Sequence, residues 1–250
     1  MFLLEIKPIN KKALSLQTIN NKNKLNEKLM KKTLLTLALT STLLTASFNA
    51  TADEGLAGIE GLSGNAGVVS QYFFRGIAQT TSASASGGID YEKGGFYAGT
   101  WAADVQDGIE VDFYAGYGIE TENGISLSAG FTTYQYTGDF DSAYNEVNLS
   151  AGYGIFSLSY NVGTHDEDKG LGIDEADYDF LSLTIEGESG LYATLGTWGK
   201  DFEGDYIELG YSTSLSGFDI GVSLISNSEE LDLETGKGEE SLVFSIGTSF

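Results

Sequence analysis

The chain of 250 residues has no cysteine, one proline, one histidine and one arginine. Without cysteine there is no disulfide, thiol nucleophile, Fe–S cluster or cysteine zinc site. His165 stands alone, which removes chemistries that need a pair of histidines. Basic residues are scarce and unevenly placed. Eight of the 13 fall in residues 1–52, and beyond them Arg75, Lys93, Lys169, Lys200 and Lys237 face 34 acids, a formal charge of −29. A surface this acidic repels phosphate backbones, so nucleic acid is excluded as a partner. Disorder is a natural question at such charge, but 41% hydrophobic and 12% aromatic content argues for a packed fold.

The 33 glycines all lie beyond residue 52, and the only proline, Pro8, lies before it. Residues 30–52 carry Lys31 and Lys32, an apolar run from Leu34 to Leu44, and small residues at Ala50 and Ala52. This is the pattern of a secretory signal peptide cleaved after Ala52. The run is too short to span a bilayer as a helix, which needs about 20 apolar residues. Residues 1–29 lack any such pattern and are expected to be an overlong gene-model extension, with Met30 the true start.

Residues 53–250 alternate apolar and polar positions. In Ile109–Glu120 one face carries Ile109, Val111, Phe113, Ala115, Tyr117 and Ile119, and the other carries Glu110, Asp112, Tyr114, Gly116, Gly118 and Glu120. A period of two places successive side chains on opposite faces of a strand. Similar runs recur to the C-terminus, and no stretch keeps a helical period. About twelve strands are expected, starting near Val68, Ala83, Phe96, Ile109, Ile125, Glu146, Phe156, Asp179, Leu191, Tyr206, Phe218 and Leu242. Asn123-Gly124, Gly154, Gly187 and Gly217 mark short joins. Longer acidic connections alternate with them at 137–143, 164–177, 200–204 and 227–238.

A soluble sandwich would alternate as well, with its apolar face inward. Export, a meander with short and long joins alternating, and aromatics near run ends favour the inverted arrangement. So does a polar face rich in Gly and Ser. The expected fold is all-β, a transmembrane antiparallel up-and-down β-barrel with apolar residues facing lipid and a polar lumen. The chain ends Leu242-Val243-Phe244-Ser245-Ile246-Gly247-Thr248-Ser249-Phe250, an alternating strand with an aromatic last residue. It resembles the terminal strand by which outer-membrane barrels are recognised for assembly, with Phe250 as the signal.

The segment Val69-Ser70-Gln71-Tyr72-Phe73-Phe74-Arg75-Gly76 is followed by Gly95-Phe96-Tyr97-Ala98-Gly99-Thr100-Trp101 and Glu110-Val111-Asp112-Phe113-Tyr114. In this order they resemble the TorF-like family of porins in Gram-negative bacteria. Ser70, Tyr72, Arg75, Gly76, Trp101, Glu110, Asp112 and Tyr114 match its motifs, and Ala103 stands where a serine is expected. The resemblance implies an outer-membrane barrel with a transport role.

Candidate lumen residues follow from the polar face. Glu110, Asp112, Glu146, Glu186, Glu208 and Asp219 are expected to line the pore and favour cations over anions. Arg75, if inward, is expected to pair with lumen carboxylates such as Glu110 or Asp112, because a charge facing lipid near the midplane costs about 2–4 kcal/mol. Asp166, Asp168 and Gly170 begin like a calcium loop, but Leu171 replaces its glycine and Asp177 its final glutamate. No metal site, cofactor or catalytic residue is expected, since no serine motif accompanies His165. The expected function is an outer-membrane porin passing small polar solutes passively and preferring cations. The alternative is a non-conducting barrel acting as anchor or adhesin through its acidic loops. Expected partners are membrane lipid, lipopolysaccharide, divalent cations and the barrel-assembly machinery.

Overall fold

The structure, a computed structural model, describes residues 56–232 and 235–250. The expected leader and gene-model extension lie outside the described residues. Strand β1 (Leu62–Val69) is followed by a short hairpin of β2 (Phe73–Phe74) and β3 (Ile77–Ala78). Then come β4 (Ser84–Lys93), β5 (Phe96–Asp104), β6 (Ile109–Glu120), β7 (Ile125–Tyr136), β8 (Tyr144–Tyr153) and β9 (Phe156–His165). The chain finishes with β10 (Ala176–Glu186), β11 (Leu191–Lys200), β12 (Gly204–Leu215), β13 (Phe218–Asn227) and β14 (Glu240–Ser249).

β1 and β4 to β14 form one closed barrel of twelve antiparallel strands, each paired with its neighbours along the chain. β14 returns to β1 with Val68 opposite Ile246 and Ala66 opposite Thr248. Closure leaves no strand edge unpaired, as a spanning sheet requires where no water reaches the backbone. Phe250 completes the seam. Its N–H donates to the Gly64 carbonyl at 3.0 Å, and its carbonyl accepts from the Gly64 N–H at 2.8 Å. A Cβ at Gly64 would lie 2.7 Å from the Phe250 ring, so a side chain there would push the aromatic terminus aside.

The faces are inverted relative to a soluble protein. Phe113, Phe131, Val147, Leu149, Leu195, Leu242 and Phe244 are all exposed on the outer wall. Glu110, Asp112, Glu146 and Glu208 are buried on the inner one. Soluble monomers rarely expose apolar patches beyond a few hundred Å². A belt running round the whole barrel fits lipid and not water, which is the arrangement of a transmembrane β-barrel.

The two ends differ. At one, β4 joins β5 through Gly94-Gly95, β8 joins β9 through Gly154-Ile155 and β12 joins β13 through Ser216-Gly217. At the other lie the connections 70–83, 105–108, 137–143, 166–175, 201–203 and 228–239, four of them longer than any join at the first end. Inner side chains differ accordingly. Toward the short joins many are small and polar, among them Ser128, Ser150, Ser157, Thr184, Thr194 and Gly221, with Tyr97 and Tyr192 set over glycines of the neighbouring strands. Toward the long connections the lumen is filled. Phe73, Tyr178, Phe180, Trp198, Tyr206, Ile225, Leu231 and Val243 form one buried cluster. Tyr72, Trp101, Ala103 and Val105 form another.

The first strand departs from the sequence expectation. It begins at Leu62, not near Val68, and ends at Val69. Residues that follow leave the wall and turn into the lumen.

Candidate functional site

Residues 72–79 form a strap across the lumen. Its root is tied to the barrel seam: the Ser70 N–H donates to the Phe244 carbonyl at 2.8 Å, and the Phe244 N–H donates to Ser70 Oγ at 2.9 Å. The Tyr72 N–H donates to Thr80 Oγ1 at 2.9 Å, and the Gln79 N–H returns to the Tyr72 carbonyl at 2.8 Å. Phe73 then pairs with Ala78 and Phe74 with Ile77. Arg75 and Gly76 make the turn, both left-handed, at φ 49° and 86°. Two such residues suit the tight hairpin turn whose twist matches its strands. The first of them is normally Asn, Asp or Gly, so Arg75 is held there by its surroundings.

Those surroundings lie on the opposite wall. Arg75 Nη1 and Nη2 donate to Glu146 Oε2 and Oε1 at 2.6 and 2.8 Å, a bidentate pair. The guanidinium carbon lies 4.8 Å from the Phe74 ring centroid, 4.6 Å from that of Phe180 and 5.6 Å from that of Trp198. Trp198 Nε1 donates to the Arg75 carbonyl at 3.1 Å, and Asn227 Nδ2 to the Gly76 carbonyl at 2.8 Å. A Cβ on Gly76 would lie 2.7 Å from Tyr206. Burial alone would lower the Arg75 guanidinium, and the facing Glu146 carboxylate outweighs it, holding the group above its usual value. The cation is permanent.

The near side of the strap is held by Tyr72, whose hydroxyl donates to Glu110 Oε1 at 2.9 Å and whose ring meets Trp101 edge-on at 5.8 Å. Burial, and then the charges of Glu110 and Asp112, push the Tyr72 phenol well up, so it remains a donor.

The sequence candidates therefore divide. Arg75, Glu110 and Glu146 meet the strap or belong to it, and Asp112, two residues beyond Glu110 on the same face, is buried as well. Arg75 points inward and pairs with a lumen carboxylate; the partner is Glu146 where Glu110 or Asp112 were the examples named, because the strap carries the guanidinium to the far wall. Glu208 stands apart, accepting from the Tyr192 hydroxyl at 2.6 Å. Glu186 and Asp219 lie near the short joins, and Asp219 accepts from Ser214 Oγ. Of the motif residues, Ser70, Tyr72 and Gly76 build the strap and Trp101 supports it. Tyr114 donates to Asp90, which also accepts from Asn65 Nδ2 at 3.0 Å.

Phe180, Trp198, Tyr206 and Asn227 escaped the sequence reading. Each lies in phase with the polar face of its strand, Trp198 with Thr194 and Tyr206 with Glu208, and that phase was the available signal. His165 is part of the wall near the long connections, stacked 4.1 Å from Tyr144 with Nε2 2.9 Å from Asp141 Oδ1. In the loop beyond it, Asp168 Oδ1 accepts from the Gly170 N–H at 2.7 Å and the Leu171 N–H at 3.2 Å. Among the described residues no group of three or more acidic or histidine side chains is arranged to hold a metal.

A family described as "Bacterial protein of unknown function (Gcw_chp)" matches residues 53–193, more than half of the chain and the whole strap. The chain belongs to the Gcw_chp family. No curated protein matches it. Among solved structures it is similar to a chain described under "Unveiling the Mechanism Behind the in-meso Crystallization of Membrane Proteins". That match has 13% identity and a TM-score of 0.54, covering 75% of this chain and 83% of the other. It is also similar to the KdgM porin, with 9% identity and a TM-score of 0.50 over 75% of this chain and 98% of that one. The outer membrane protein opdK from Pseudomonas aeruginosa matches at 13% identity and a TM-score of 0.40, over 77% and 67% of the two chains. At such identities the first two likenesses speak to fold alone. This Gcw_chp member has a porin-like barrel.

Proposed function

We propose that the protein is an outer-membrane channel of a Gram-negative bacterium. It would pass small polar solutes down their gradients, favour cations and carry its constriction in the Tyr72–Gln79 strap. The observation that carries this reading is the inner wall: polar side chains toward the short joins, mostly small but with Tyr97 and Tyr192 among them, and acids outnumbering the single arginine where the strap crosses. Carboxylates facing a narrow lumen raise the local concentration of cations. The resemblance of the 69–114 motifs to TorF-like porins supports the same reading, as does the sequence pattern of a secretory signal over residues 30–52. Phe250 would serve as the signal to the barrel-assembly machinery, and the acidic loops would meet divalent cations and lipopolysaccharide.

One observation favours a second reading, a non-conducting anchor or adhesin: the strap crosses the full lumen with Tyr72, Phe73 and Arg75 buried. Single-channel recording in a planar bilayer under a KCl gradient separates the two. Discrete steps with a cation-selective reversal potential support the channel. Anion-selective steps would remove the cation preference. Absence of current from a folded barrel, with the strap present and with residues 72–79 excised, would establish the anchor.

A further inference from the structure

Arg75 is bound as a ligand would be. Two parallel bonds join its guanidinium to Glu146, and the rings of Phe180 and Trp198 flank it at 4.6 and 5.6 Å. These three side chains belong to the barrel wall and have wall contacts of their own. Glu146 stands on β8, where it accepts from the Tyr134 hydroxyl at 3.2 Å and from Asn148 Nδ2. Phe180 and Trp198 are register partners on β10 and β11, with ring centroids 5.0 Å apart. Trp198 packs edge-on against Tyr178 at 5.6 Å, and Phe180 stacks parallel to Tyr206 at 6.2 Å. Gly196 makes that stack possible, since a Cβ there would lie 2.2 Å from Tyr206 and 2.8 Å from Phe180. Besides the cation, the strap brings Phe74 against the guanidinium, and Phe73, Ile77 and Ala78 into the cluster that holds Phe180 and Trp198.

The wall groups select a particular cation. Both oxygens of Glu146 accept from different nitrogens of one planar fork, a geometry that guanidinium offers and ammonium does not. Guanidinium is also the more weakly hydrated of the two and lies readily against aromatic faces. We propose that Glu146, Phe180 and Trp198 form a guanidinium-binding site on the lumen wall, that Arg75 occupies it as an internal ligand, and that solutes bearing a guanidinium group compete with Arg75 for it. The proposal rests on the channel reading for the route by which solute arrives, and it names that channel's substrate class. Tethering gives Arg75 a high effective concentration at the site. A free competitor therefore binds more weakly while the strap is in place than once the strap is gone.

Fluorescence of Trp198 tests this directly. The chain has two tryptophans, so Trp101→Phe leaves Trp198 as the sole reporter. Two variants in that background empty the site. One is Arg75→Ala. The other excises residues 72–79, whose two ends are already hydrogen-bonded to each other and whose loss leaves every barrel strand intact. Heat-modifiable migration confirms a closed barrel in each, and the excision decides the matter if Arg75→Ala does not fold. The probe is methylguanidinium chloride, with methylammonium chloride at equal concentration as comparison. The expected result is a saturable change in the emptied variants, half-complete on the order of millimolar. It should weaken at least about tenfold with the strap intact, weaken similarly with methylammonium, and vanish when Glu146→Gln is added. No saturable change in the excised variant, an equal response to methylammonium, or indifference to Glu146→Gln would overturn the site. Binding without bilayer current would keep the site and remove the channel; current without binding would do the reverse.

Discussion

Arg75 and Glu146, 71 positions apart, meet through two parallel N–H···O bonds with both side chains almost wholly out of solvent. A pair like this is asymmetric in its energetics. Removing one partner strands the other as an uncompensated buried charge, at about 3–5 kcal/mol. Arg75→Ala is thus expected to destabilise the folded barrel by an amount in that range, seen as a lower urea midpoint at unchanged slope. Adding Glu146→Gln to Arg75→Ala should recover a large part of the loss, because the stranded charge goes too. A double-mutant cycle on those midpoints measures it.

Tyr72 is a narrower case. Its hydroxyl makes one hydrogen bond to a buried carboxylate, so Tyr72→Phe keeps the ring against Trp101 and loses a single donor. The expected cost is about 1–3 kcal/mol, again read from the urea midpoint. A larger loss would mean that Glu110 depends on Tyr72 for more than that bond.

Two glycines with the same backbone angle separate strain from collision. Gly76 and Gly217 both sit at φ 86°, but a Cβ on Gly76 meets Tyr206 at 2.7 Å, whereas one on Gly217 meets nothing within 4 Å. Gly217→Ala should cost roughly 1 kcal/mol, the left-handed penalty alone. Gly76→Ala should cost more and loosen the strap, visible as increased protease cleavage between residues 70 and 83. Equal effects at the two positions would mean that the strap yields freely.

The outer wall makes its own prediction. Leu149 is exposed midway along β8, and Gln135 is exposed on β7 near the long connections. Leu149→Arg in bilayers should cost about 2–4 kcal/mol, while Gln135→Arg should cost about 0–1 kcal/mol. Similar values for both would place the bilayer differently along the barrel axis.

How much of this was written in the chain depends on range. The faces of β6 follow from alternation alone, because a period of two fixes which side each residue takes once one residue is placed. Ile109 and Glu110 fall as expected. The short joins follow from left-handed glycines such as Gly154 and Gly217, whose demand is local. The strap did not follow. Its turn lacks the Asn-Gly or Asp-Gly pair that flags a tight hairpin, since Arg75 takes the left-handed position and is held there by groups on β8, β10 and β11. Pairing with Glu146 and not Glu110 was invisible for a related reason. Both carboxylates point inward, and which of them stands within reach depends on strand tilt and stagger round the whole barrel.

The strap also bears on how the chain can be assembled. Arg75 and Gly76 lie between the first two barrel strands, yet their carbonyls are bonded by Trp198 and Asn227, 123 and 151 residues further on. The piece inside the ring is thus made early and its moorings last. The ring must close about a segment already on its inner side, or admit it through the mouth afterwards. Contacts of such long separation slow folding, and the excised chain, freed of them, should reach its heat-modifiable form sooner than the intact one.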